Sequence, residues 1–218
     1  MATKFFGNIF LCWRPKVGER RIKVGVLHQS SNGITFSYTQ EAIMAAENSG
    51  FTPYAGFPNL NETYTKNVLE IFSQRLTRSE RPDIEKYYNF WRIAPEYRND
   101  KLYLLAKTQG LLASDMFEFL ADYNPVRGLD FVSEVSGLSH TKLSSDFLTS
   151  GDILEYKREP ENKQDKYAIA LYKGKKKVGY VKKIHSHVFY KTSRHIRVEV
   201  ISTESNGHLN RAYIRIYL

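Results

Sequence analysis

From Pro125 onward the apolar period shifts towards two, and this constrains the fold more than any other feature of the chain. Ile196, Val198 and Val200 interleave with Arg197, Glu199 and Ile201, and Tyr213, Arg215 and Tyr217 with Ile214 and Ile216. Alternation of this kind marks strands with one face turned to a core. The same reading gives strands over Phe131–Ser136, Asp152–Arg158, Tyr167–Tyr172 and Lys177–Val181, with Gly174 in a tight turn between two of them. One helical piece, about Ile184–Lys191, interrupts the series. Six short strands and a helix in about 90 residues predict a small, partly closed barrel.

Upstream the pattern is different. Asn8–Trp13, Ile22–Leu27 and Gly33–Tyr38 read as strands. Helices are then predicted from Thr39 to Glu47, over Thr63–Leu76, from Pro82 through Trp91, and over Leu102–Lys107 with Asn99 or Asp100 as the cap. The expected architecture is an α+β domain over residues 1–124 followed by the small barrel-like domain over 125–218. The turn-rich stretch Asp122–Gly128 divides them.

Charge separates the halves as well. The whole chain carries a formal +9; residues 1–124 hold 15 Lys/Arg against 13 Asp/Glu, and residues 125–218 hold 17 against 10. Residues 157–197 alone contain 13 basic side chains and three acids, Glu159, Glu161 and Asp165. So dense a positive charge repels itself, and a polyanion is its simplest compensation. Lys157, Arg158, Lys163, Lys166, Lys182 and Lys183 crowd one predicted turn and the strand ends beside it, interleaved with Tyr156, Tyr167, Tyr172 and Tyr180. Rings stack bases while Lys and Arg take phosphates, the combination used for single-stranded nucleic acid.

The residues around that turn carry a family resemblance. Tyr156-Lys157-Arg158-Glu159-Pro160-Glu161-Asn162, then Asp165, then Ala168-Ile169-Ala170-Leu171, then Gly179-Tyr180-Val181-Lys182-Lys183 follow one another in this order. They resemble the core pattern of HIRAN domains, with R-E-P-x-N, an Asp, A-I-A-[VL], and G-Y-[VIL]-[PK]-[RK]. Val135–His140 is similar to the family's opening strand and turn. The resemblance implies a binding module for single-stranded DNA or DNA 3′ ends. His140, Lys157, Arg158, Asn162, Asp165, Lys166, Tyr167, Tyr180, Lys182 and Lys183 would be its nucleic-acid-binding residues. Gln164 stands where the helicase-type pocket has an aromatic before the Asp, and Ser139-His140 where it has an Arg–aromatic pair.

The first half resembles the N-terminal subdomain of HipA-type kinases through Val24-Gly25-Val26-Leu27, Ile34–Tyr38, Phe57–Leu60 and Leu69–Leu76 with Arg81-Pro82-Asp83. That resemblance implies docking of a protein partner, such as a HipA-type kinase, as an antitoxin-like component would do. The kinase motifs themselves are not found.

No enzyme signature accompanies these patterns. Gly174-Lys175 has Ile169 and Lys176 where a phosphate-binding loop needs Gly and Ser/Thr. His185 and His187 are two residues apart, with no third ligand near in sequence, so neither a metal nor a cofactor is expected. The single cysteine, Cys12, reads as a buried structural thiol. No apolar run approaches the ~20 residues that cross a bilayer, and the N-terminal stretch reads as a strand rather than a signal peptide. A non-catalytic, cytoplasmic protein is expected, compatible with bacterial repair, defence or toxin control.

Overall fold

The computed structural model describes residues 5–16 and 19–218, with the side chain of Ser139 outside the described ones. The chain divides into two compact units, Phe6–Asp122 and Tyr123–Leu218 with Phe5.

In the first unit β1 (Phe6–Trp13), β2 (Ile22–Ser30) and β3 (Gly33–Tyr38) form an antiparallel meander. Gly25 is required there. A Cβ at this position would lie 2.4 Å from the Phe36 ring, so the glycine lets that ring lie across β2. Phe36 then centres an aromatic core, 5.0 Å from both Phe57 and Phe72, and Phe72 lies 4.9 Å from Phe119. Around this core run α1 (Gln40–Asn48), β4 (Thr63–Tyr64), α2 (Val68–Ser73), α3 (Ile84–Phe90), α4 (Lys101–Thr108) and β5 (Phe117–Tyr123). The strand order is β4-β3-β2-β1-β5.

Several expectations change here. The helix predicted over Thr63–Leu76 begins only at Val68. Thr63 and Tyr64 pair with Ser37 and Phe36 instead, and the Tyr64 hydroxyl ties the chain to the backbone of Asn59. Its apolar spacing still holds inside α2, where Val68 and Phe72 are buried. Thr39 precedes α1, but its hydroxyl donates to the Lys23 carbonyl at 2.6 Å rather than accepting from the helix. Asp100 does cap α4, accepting from the Tyr103 N–H at 2.9 Å. The edge strand β5 was not expected. It is buried along most of its length, so it lacks clean alternation, and its Glu118 is tolerated through an ion pair with Arg21.

The core also holds a charged group. Arg75 is 4% exposed. It grips Asp115 with two hydrogen bonds of 2.6 and 2.8 Å, and it donates to the carbonyls of Gly110 and Phe117. Every arm of the guanidinium is thereby occupied, which is what makes such burial tolerable.

The second unit contains the six alternating segments as two three-stranded sheets. One has the order β10-β11-β6, from β6 (Asp130–Glu134), β10 (Arg197–Asn206) and β11 (His208–Tyr217). The other is β7 (Glu155–Glu159), β8 (Ala168–Lys173) and β9 (Lys176–Tyr180). Isolated bridges join them at Ser136↔Tyr180 and at Ile153↔Glu199. The helical piece expected near Ile184–Lys191 is a 3-10 helix over His185–Tyr190, and a second 3-10 turn covers Leu138–His140. Among the described residues, no helix is long and apolar enough to cross a membrane.

Candidate nucleic-acid interface

The turn between β7 and β8 is held by its own side chains. Asn162 Oδ1 accepts from the backbone N–H groups of Gln164 and Asp165, at 3.0 and 3.3 Å. Asp165 Oδ1 accepts from the Tyr167 N–H at 3.0 Å. These are the side-chain turns that Asn and Asp favour, and they leave Lys163 and Lys166 pointing to solvent.

Glu159 anchors the turn from the strand side. Its Oε2 accepts from Asn162 Nδ2 and from the Tyr180 hydroxyl, both at 3.0 Å, while Oε1 accepts from Lys177 Nζ at 2.9 Å. Burial pushes the Glu159 carboxyl up, but the bonds from Lys177, Asn162 and Tyr180 outweigh it and hold the group below its ordinary range. The two ends of this contact lie on β9 and β7, so the Tyr180 side chain crosses β8. Between Tyr180 and Glu159, register puts Ala168 and Ala170 on that face of β8, which explains the small residues of the A-I-A segment. Lys177 Nζ lies 4.1 Å from the Tyr180 ring centroid, so the ring has its own cation.

Gly179 serves the same corner. A Cβ there would lie 2.6 Å from the Ser136 carbonyl oxygen and 2.6 Å from Val135 Cγ1. Without it Tyr180 and Ser136 can exchange backbone hydrogen bonds of 2.7 and 2.8 Å. Gly179→Ala is expected to destabilise this unit by about 2–3 kcal/mol, the cost of overpacking, read as a lowered denaturation midpoint.

Arg158 points away from this group. Its Nη2 donates to the carbonyls of Phe189 and Thr192, tying β7 to the 3-10 helix and the segment after it. The guanidinium also lies 5.2 Å from the Tyr190 ring. Tyr190 in turn meets Tyr167 edge-on at 5.4 Å, and Tyr167 meets His187 at 4.9 Å. Lys166 Nζ lies 5.1 Å from the Tyr167 ring. Burial pushes the Tyr190 hydroxyl up.

The predicted residues therefore separate. Asn162, Asp165, Lys166 and Tyr167 form one continuous turn, with Arg158 reaching it through Tyr190 and Tyr180 through Asn162. Lys157 stands apart, its ammonium 5.0 Å from the Tyr172 ring. His140 and Lys183 are exposed. Lys182 does not join them. Its side chain is 0% exposed and sits 3.6 Å from Glu134, because the chain turns inward as it leaves β9. Tyr190, His187, Glu159 and Lys177 belong to the arrangement but are not among the residues the sequence assigns to nucleic-acid binding. Glu159 had a visible signal in the R-E-P-x-N segment, whereas Tyr190 is brought in by the fold. Among the described residues, no three His, Cys, Asp or Glu side chains are grouped to hold a metal.

With this geometry in view, residues 129–217 match the model of the HIRAN domain family. The resemblance read from the motifs holds over that stretch, and residues 6–122 lie outside it. The chain is similar to the crystal structure of the HIRAN domain of human HLTF, at 18% identity over 40% of this chain and 74% of that one, with a TM-score of 0.33. A crystal structure of a protein from Lactobacillus plantarum is similar at 19% identity, over 42% of this chain and 96% of that one, also with a TM-score of 0.33. No curated protein matches the chain.

Proposed function

We propose that the Tyr123–Leu218 unit is a non-catalytic binding module for single-stranded DNA, and for DNA 3′ ends in particular. One observation carries this reading. The turn Asn162–Tyr167 presents the exposed Lys163 and Lys166 and the half-exposed Tyr167 on a backbone fixed by the Asp165 carboxylate, in the part of the chain that matches HIRAN domains. Cations take the phosphates and a ring takes a base. Asp165 gives this cationic turn its polarity, since a carboxylate accepts from a sugar hydroxyl and repels a terminal phosphate.

The test is a binding series over salt, using single strands that end in a 3′-OH, in a 3′-phosphate, or that are closed into a circle. Affinity is expected to fall steeply with salt, with the 3′-OH strand tightest. Affinity that ignores salt would overturn the module reading, and equal binding of the three strands would overturn the end preference.

For the Phe6–Asp122 unit the proposal is a protein partner, such as the HipA-type kinase implied above. Leu111, Leu112 and Met116, between α4 and β5, are 37%, 40% and 36% exposed, and apolar side chains on one connection favour contact with another chain.

A further inference from the structure

Not every lysine of the basic strip has work within the fold. Lys173 is bound to Asp152 at 2.7 Å and Lys177 to Glu159 at 2.9 Å. Lys157, Lys175 and Lys176 are exposed and form no ion pair among the described residues. From Lys166 to Val198 the sequence contains no acid. Lys175 and Lys176 stand at the β8–β9 hairpin, at the opposite end of β8 from the Asn162–Tyr167 turn. Beside them is Tyr172, half-buried, with the Lys157 ammonium 5.0 Å from its ring. Register places Lys157, Tyr172 and Tyr180 on one face of the sheet, where the Tyr180 side chain lies over the buried Ala168 and Ala170 on its way to Glu159. Glu155, opposite Tyr172, is the acid nearest the hairpin on this face.

We infer that this face is a second subsite, which takes the nucleotides of a DNA single strand beyond those held at the turn. Tyr172 is its stacking ring, and Lys157, Lys175 and Lys176 are its phosphate contacts. The inference rests on the function proposed above and adds a length to it. Ala168 to Tyr172 spans four residues, about 13 Å at the rise of a strand. With the turn and the hairpin at either end, the span corresponds to about four to six nucleotides at the ~3.4 Å spacing of a stacked strand. A partly exposed ring on a sheet between cations is a common platform for bases.

The experiment compares oligothymidines of three, six and nine nucleotides, all with a free 3′-OH, at one salt concentration. It uses the full chain, the double variant Lys175→Glu/Lys176→Glu, and Tyr172→Leu. The hairpin lysines are exposed, so the double variant folds even if the tyrosine variant does not. The unaltered protein is expected to gain at least tenfold in affinity from three to nine nucleotides. The double variant is expected to bind the trimer within about twofold of the unaltered protein and to gain less than threefold with length. An equal gain in the double variant, or no gain in the unaltered protein, would overturn the subsite and leave the proposed function standing. Failure of the unaltered protein to bind any of the three would overturn both.

Discussion

Reversing Lys163, Lys166 and Lys183 together to glutamate is expected to weaken binding of a DNA single strand by about 100-fold or more near physiological salt. All three side chains are exposed, so the substitution leaves the core alone. Each lost phosphate contact should also lower the slope of log affinity against log salt by about 1. The slope is the more telling readout. Reduced affinity with an unchanged slope would mean that these lysines act by shaping the turn, and that the phosphate track lies elsewhere.

Lys182 is expected to behave in the opposite way to its neighbour. Its side chain is enclosed, 3.6 Å from Glu134, which Arg211 also approaches at 3.2 Å. Lys182→Glu would enclose two carboxylates together, and the unit should lose about 4 kcal/mol or more of stability. Lys182→Met fills a similar volume and leaves Glu134 its arginine, so it should fold and bind single-stranded DNA as the unaltered protein does. Thermal denaturation reads the first result and a binding titration the second. A folded Lys182→Met variant with binding lost would restore Lys182 to the interface.

These two lysines show what was legible in advance. Local chemistry could be read. The turn made by Pro160, Asn162 and Asp165 forms through bonds spanning two or three residues, so the residue types announce it. The period of two located the strands of the second unit for the same reason. Partners far along the chain could not be read. Arg158 spends its guanidinium on carbonyls 31 and 34 residues away, and Glu159 binds Lys177 and Tyr180 across β8. Adjacent lysines at the end of a strand look alike until the chain's path turns one inward. In the first unit, β5 was hidden because burial on both faces removes the alternation that reveals a strand.

The order of strands in the second unit has a consequence for how it comes into being. β11, the last strand along the chain, lies between β6 and β10, and Tyr217 pairs with Asp130 near the start of the unit. During synthesis from the N-terminus β6 has no neighbour in its sheet until β11 emerges. The segments that carry the cations are then already made, but the sheet that backs them is not. The sheet of β6, β10 and β11 therefore closes late, through one pairing of long sequence separation, the kind of contact that slows folding.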